Sequence, residues 1–229
     1  MNNFIELKNL SKTFAEKKNI KVLKKINYKF KLGKIYSLMG PSGSGKSTLL
    51  NILSLIDRPS SGSIKFQNSL IDFDNNKEND LLRANNIGII YQQDNLLSDF
   101  TALENVYLAC LATGQEKERA KVKAKNILKK VGLSNRLDHY PNELSGGEKQ
   151  RVSISRALIN EPKIILADEP TGSLDKKNSN EIFILLKKQI NPKRLIIFAT
   201  HNRFLANKSD CLLEMVDGNI KSMNVRVQA

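Results

Sequence analysis

The chain has 229 residues, 40% hydrophobic and 26% charged, which is enough for a packed core in one large domain or two small ones. No apolar run approaches the roughly 18–20 residues of a membrane span, and the opening MNNFIELKNL lacks the charged and apolar segments of a signal peptide, so the chain is expected to work from the cytoplasm. The net charge of +14 fits either an anionic partner or lysines on solvated faces; scattered from Lys8 to Lys221 without interleaved aromatics, they mark no specific nucleic-acid site.

In chain order, NFIELKNL alternates as a strand, and INYKFKL sets Ile26, Tyr28, Phe30 and Leu32 on one face at period two. KIYSLMG is a short apolar run ending in glycine, as expected of a buried parallel strand. STLLNILSLI has helical spacing and stops before Arg58 and Pro59; SGSIKF and NNIGIIYQ are further strands. Between Thr101 and Pro141 the texture turns helical. Thr101 to Glu104 forms a capping box, and Ala120, Ala124, Ile127, Leu128 and Val131 recur three and four apart before Gly132 ends that helix. KIILAD and RLIIFAT are buried strands around the amphipathic NSNEIFILLKKQI, and CLLEMVDGNIK closes as a hairpin at Asp217 and Gly218. Cys110 and Cys211, far apart and without ligand spacing, read as buried or idle thiols. The plan is an α/β nucleotide-binding core, 1–94 and 151–229, with a helical insertion at 95–150, all within one domain spanning 1–229.

Gly40, Pro41, Ser42, Gly43, Ser44, Gly45, Lys46 and Ser47, followed by Thr48, fit the G-x-x-x-x-G-K-[ST] pattern between a predicted strand and a predicted helix. Its glycines let backbone N–H groups close around phosphate oxygens at the positive end of the helix. Lys46 would reach the β- and γ-phosphates and the Ser47 hydroxyl would ligate Mg²⁺, so a nucleotide with Mg²⁺ is the expected ligand, which the resemblance given below implies to be ATP. IILADEP lifts Asp168 and Glu169 to a sheet edge. Asp168 is placed for Mg²⁺, directly or through water, and Glu169 to orient and deprotonate an attacking water. Gln92 follows a buried strand and reads either as a further Mg²⁺ or water contact or as a polar loop residue. His201 ends another such strand, at the edge where ligands bind, though a lone histidine equally reads as structural. His139 reads as loop.

LSGGEKQR poses a separate question. Ser145 to Glu148 is itself a capping box, which accounts for a helix start but not for two adjacent glycines, Gly146 and Gly147. Glycines at a helix N-terminus suit close backbone approach to something anionic.

GPSGSGKST, YQQ, LSGGEKQ, IILADEP, SLD and ATH stand in the order and approximate spacing of an ABC-type ATPase domain, and this resemblance covers nearly the whole chain. It implies a P-loop NTPase core with a mainly parallel sheet, an N-terminal antiparallel β subdomain and a helical insertion. It also implies a head-to-tail homodimer in which Ser145, Gly146 and Gly147 act in trans on the γ-phosphate held by the partner copy. On the same resemblance Gln92 senses the site, His201 contacts the γ-phosphate, and Asp175 communicates across the interface. Phe14, in SKTFAE, matches the position where the family stacks an aromatic on adenine; tyrosine is more usual there, and Asn202 stands where aspartate is common.

With one ATPase core and no membrane span, the chain resembles the motor subunit of a transporter. It would contact integral membrane subunits near Gln92 to Val106, at the cytoplasmic face of the inner membrane. DFTALENV and LLEMVDG are most similar to the lipoprotein-releasing group, with macrolide- or peptide-export and cell-division ATPases as the alternatives. Soluble ABC ATPases that act on nucleic acid or ribosomes form a different class; they usually carry paired cores, coiled-coil inserts or zinc cysteines, which this sequence lacks.

Overall fold

The computed structural model describes residues 3–15 and 19–225. In chain order its elements are β1 (Asn3–Ala15), β2 (Asn19–Lys31), β3 (Ile35–Met39), α1 (Lys46–Leu53), β4 (Ser61–Phe66), β5 (Ser69–Leu70), α2 (Asn76–Asn86) and β6 (Ile87–Ile90). They continue with α3 (Ala102–Leu111), α4 (Lys117–Lys130), α5 (Gly146–Leu158), β7 (Ile164–Asp168), α6 (Lys176–Lys187), β8 (Leu195–Ala199), α7 (Arg203–Ala206), β9 (Cys211–Val216) and β10 (Asn219–Val225). Two compact units arise: the described residues of Met1–Asp80 with Ile190–Ala229, and Leu81–Gln189.

The first unit contains an antiparallel sheet in the order β2-β1-β4-β5. Ile26 and Phe30 are buried and Tyr28 half-buried, as the alternation predicts. Phe30 packs edge-on against Tyr36 of β3, with ring centroids 5.0 Å apart. Leu32 lies just past the strand and is half-buried. Upstream the alternation breaks, because Leu23 is buried three places before Ile26. Asn9 and Lys25 both take left-handed conformations, φ 49°, and the β1–β2 register shifts between Leu7 and Leu10 and again before Lys12. Such bulges exchange the faces of a strand. Asn27 stitches this one, accepting from Asn9 N–H at 2.9 Å and donating to the Lys25 carbonyl at 2.9 Å.

The same unit holds β3 between β8 and β9, all parallel, with β10 antiparallel on β9. The β9–β10 turn is the hairpin read at Asp217 and Gly218, both with positive φ (48° and 76°), the backbone that a tight two-residue turn requires.

In the second unit β6 and β7 pair in parallel. Helices α3, α4 and α5 share a core that includes Val106, Tyr107, Cys110, Leu128 and Val152, in which each large apolar side chain contributes about 1.5–3 kcal/mol. Ala120, Ala124 and Leu128 are fully buried, and Ile127 and Val131 flank them. Gly132, at φ 77°, ends α4. Helix α2 was not foreseen: Asn79 is its only fully buried residue, so its sequence carries no apolar period. Among the described residues no helix is long and apolar enough to cross a membrane.

Candidate functional site

In the first unit the loop Gly40–Gly45 leaves the end of β3 and enters α1. Since Leu38 of β3 pairs with Ala199 of the parallel strand β8, this loop and His201 leave the same carboxyl edge. Two glycines of the loop are demanded by the chain itself. A Cβ at Gly40 would collide with the Met215 carbonyl oxygen, and one at Gly45 would stand 2.8 Å from Leu23 Cδ2. Gly45 also sits at φ 101° as the N-cap of α1, a conformation strained for any side chain. Gly43 has open space around it. Lys46 folds back over the loop, its Nζ donating to the carbonyls of Gly40 (2.8 Å) and Pro41 (3.0 Å). The Ser44 hydroxyl is buried without a hydrogen-bond partner among the described residues, while Ser42 and Ser47 are exposed.

His201 is exposed and bracketed by a tight turn. The Thr200 hydroxyl accepts from Asn202 N–H at 3.1 Å, and Asn202 Oδ1 caps α7, accepting from the N–H groups of Phe204 and Leu205. Asparagine therefore performs the capping that an aspartate would.

In the second unit β6 and β7 run in parallel with Ile90 opposite Ala167, so Gln92 and the pair Asp168–Glu169 leave one edge together. The Asp168 Oδ1 atom is buried and has no hydrogen-bond partner among the described residues. Glu169 adopts φ 47°, a left-handed backbone that costs a non-glycine residue of the order of 1–2 kcal/mol and holds the carboxyl group at a fixed turn. The Gln92 amide lies against Gly172, where an added Cβ would stand 3.0 Å from Nε2. Gln92, Gly146, Gln150, Pro170 and Leu174 line one cavity of about 390 Å³, which brings the segment after β6, the start of α5 and the loop after β7 onto a common surface.

The start of α5 is the capping box that the sequence announces. The Ser145 hydroxyl accepts from Glu148 N–H, and the Glu148 carboxylate accepts from Ser145 N–H at 2.8 Å. The Arg136 guanidinium, 2.8 Å away, together with the Ser145 groups, holds the Glu148 carboxyl down at about 2. The two glycines differ. Gly147 is buried, and a Cβ there would stand 2.9 Å from Asn178 Oδ1, whereas Gly146 is exposed and its Cβ would meet only Leu174, at an ordinary 3.7 Å. Asn178 is in turn hooked to Asp175, the N-cap of α6, whose carboxylate accepts from its N–H and its Nδ2. Those bonds hold the Asp175 carboxyl below its usual range.

The ABC transporter family matches residues 23–172. A lipoprotein-releasing system ATP-binding protein, LolD, of Rickettsia bellii is 45% identical over 219 residues, which are 95% of this chain and 97% of that one. LolD of Wigglesworthia glossinidia brevipalpis is 44% identical, over 98% of this chain and 100% of its own. The chain belongs to the ABC transporter ATP-binding subunits, of the LolD type. Among solved structures, a dimeric post-hydrolysis state of the ATP-binding cassette MJ0796 bound to ADP and Pi superposes with a TM-score of 0.90 at 37% identity, covering 98% of this chain and 100% of that one. The chain is thus an ABC ATPase with a nucleotide-binding α/β fold.

For an ABC ATPase, several residues of consequence escaped the motifs. Asn105 of α3, 1% exposed, accepts from Leu97 N–H at 2.8 Å and donates to the carbonyls of Leu97, Phe100 and Thr101. Arg156 of α5 donates to the carbonyls of Asp94 and Asn95, both at 2.8 Å, and Gln150 donates to the Tyr91 carbonyl. Between them these side chains fix the segment 91–101, and α5 grips it directly. The only hint in sequence is an arginine and a glutamine six residues apart on one helix, a pattern without specificity. Lys12, beside Phe14, was missed for the same reason.

The residues present fit a Mg²⁺ that arrives with nucleotide. Among the described residues no group of three or more His, Cys, Asp or Glu forms a cage, but Mg²⁺ with a phosphate substrate takes only one or two carboxylates besides water. The orphaned Asp168 Oδ1 supplies such an acceptor.

Proposed function

We propose that the chain is the motor of a transporter that releases lipoproteins from the inner membrane toward the outer membrane. It works as a head-to-tail homodimer, peripheral to the cytoplasmic face and docked on integral membrane subunits. The observation that carries the cargo assignment is the 44–45% identity to LolD proteins over nearly the full length of both chains.

ATP lies with its phosphates on the loop Gly40–Thr48, and Lys46 exchanges its two loop carbonyls for the β- and γ-phosphate oxygens. Ser47, Gln92 and Asp168 would hold Mg²⁺, which when bound would offset phosphate charge. Phe14 stacks on the adenine, and His201 donates to the γ-phosphate. Glu169 accepts a proton from the attacking water; the new bond forms to the γ-phosphorus as the bond to the β-phosphate oxygen breaks, releasing ADP and phosphate. Ser145, Gly146 and Gly147 of the partner copy close the site. The Gly146 and Gly147 N–H groups support this role, since neither has a hydrogen-bond partner among the described residues, and a helix N-terminus attracts anions. Asp175 relays between copies. The segment from Gln92 to Val106 docks on the membrane subunits, a reading supported by exposed Leu97 and Phe100 on backbone that Asn105 and Arg156 hold rigid.

In Glu169→Gln, ATP binding is expected to persist while phosphate release falls by roughly 10²–10⁴-fold and a nucleotide-bound dimer accumulates on size exclusion. Turnover at the wild-type rate would remove Glu169 from the role of base. For the cargo, the chain reconstituted with its membrane partners in vesicles should release a lipoprotein on addition of ATP. Export of a macrolide or peptide instead would reassign the transporter.

A further inference from the structure

Phe14 sits on β1 opposite Ile20 of β2, its ring 38% exposed. Lys12, two residues earlier on β1, places its Nζ 4.8 Å from the centre of the Phe14 ring. That is within the roughly 6 Å over which a cation is attracted to an aromatic face. This lysine is no loose surface cation. It is 8% exposed, and its Nζ donates to Asp57 Oδ1 at 2.6 Å and to the Arg58 carbonyl at 2.8 Å. Asp57 follows α1 closely, its N–H donating to the Asn51 carbonyl at 3.1 Å, and its Oδ1 also accepts from Arg58 N–H at 2.7 Å. The backbone between the two side chains is pinned as well, because Thr13 exchanges hydrogen bonds with the Ser60 hydroxyl through both its N–H and its carbonyl.

We infer that Lys12 is a positioning residue for nucleotide binding: it braces the Phe14 ring from one face, leaving the ring to receive a purine, and ties that ring to the far end of the phosphate-loop helix through Asp57. The inference rests on the reading of Phe14 as the adenine platform and extends it. Two physical effects follow. A ring held in one orientation loses less freedom when a base stacks on it. A cation on one face also draws electron density from the ring, which reduces repulsion toward the π-face of a base on the other. The strut fixes the spacing between base platform and phosphate loop, because Asp57 belongs to the segment that closes α1.

The test compares affinity for ATP with affinity for inorganic triphosphate, which has no base, in the full-length chain. Phe14→Ala should weaken ATP and leave triphosphate unchanged. Lys12→Met should weaken ATP by about twofold to fivefold, again without touching triphosphate, and should add nothing in the Phe14→Ala background. Lys12→Arg, which keeps a cation, should restore most of the loss. If Phe14→Ala weakens ATP and Lys12→Met does not, the brace is wrong and the platform stands. Equal weakening of ATP and triphosphate by Lys12→Met, or an undiminished effect without the ring, would place Lys12 in support of the phosphate loop and overturn the proposal. Unchanged ATP affinity in Phe14→Ala would remove the platform itself, and the brace with it.

Discussion

Helices α3 and α5 begin with the same device and put it to different ends. Thr101 and Glu104 box the start of α3, and Ser145 and Glu148 box that of α5. A capping box satisfies the amides of the cap and of the third helical residue and leaves the first two open. At α3 the chain fills both: Ala102 N–H donates to the His139 carbonyl at 2.8 Å and Leu103 N–H to the Leu137 carbonyl at 2.9 Å. At α5 the corresponding residues are Gly146 and Gly147, whose amides have no partner among the described residues. A cap alone is a stability feature; a cap with two amides left open beside an exposed glycine is what the proposed contact with the partner's phosphate requires. His139, read from the sequence as loop, has a structural purpose here, since its carbonyl closes the start of α3.

Among changes at the two helix starts the largest effect should come at Gly146, and the two glycines should separate. An alanine at Gly146 meets nothing closer than 3.7 Å within its own chain and gains helix propensity, so stability should hold or rise by up to about 1 kcal/mol. On the proposed in-trans contact ATP turnover should nonetheless fall by roughly tenfold or more, because the methyl group would intrude on the partner's phosphate and small misplacements at a reacting centre are costly. An alanine at Gly147 must displace Asn178, which is held by the Asp175 carboxylate at 2.6 Å. Loss of that hydrogen bond costs about 0.5–1.5 kcal/mol, largely offsetting the propensity gain, so Gly147→Ala should be nearly neutral in the wild type and stabilising by up to about 1 kcal/mol in the Asn178→Ala background. Denaturant unfolding and steady-state ATPase on wild type, the three single variants and the Gly147→Ala/Asn178→Ala double variant read both quantities. A Gly146→Ala chain with normal turnover would break the contrast between α3 and α5.

Removing the cap hydroxyls is the gentler comparison. Thr101→Ala and Ser145→Ala should each lower stability by about 1 kcal/mol. In isolated chains only Ser145→Ala should also slow ATP turnover, since the α3 start is closed by its own chain. Equal slowing by both variants would mean that the caps act on turnover through stability alone.

Much of this architecture could be read from residue patterns. Apolar runs such as IILAD and LIIFA became parallel strands, the spacing of Ala120, Ala124 and Leu128 became a packed helix face, and both capping boxes formed. What escaped was whatever has no period. Helix α2 buries Asn79 and leaves Leu81 exposed, so its apolar residues mark no face. The bulge at Asn9 and Lys25 depends on left-handed backbone at residues that are not glycine. The sequence suggested that the glycine pair needed a close approach, but not that Gly147 owes its place to Asn178 within the chain while Gly146 owes nothing to it. Lys12, Asn105 and Arg156 work through carbonyls, ring faces and distant loops, and such contacts leave no signature in local sequence.

The smallest expected effect concerns the charge that holds the α5 box closed. Glu148 is brought down from 4.5 to about 2, first by the Arg136 hydrogen bond and then by the Ser145 backbone and hydroxyl. A carboxyl group whose folded value is depressed stabilises the fold fully above its unfolded value, and that contribution is lost as pH falls through the folded one. Wild type should therefore exceed Glu148→Gln in thermal stability at neutral pH, and the gap should narrow as pH drops from 4.5 toward 2. The glutamine can still accept from Ser145 N–H through its amide oxygen, so the difference isolates the charge and its pairing with Arg136. Because that guanidinium is 44% exposed, salt should shrink the gap at neutral pH. A gap that stayed constant from pH 7 to pH 3 would show that Glu148 contributes its geometry to the turn and not its charge.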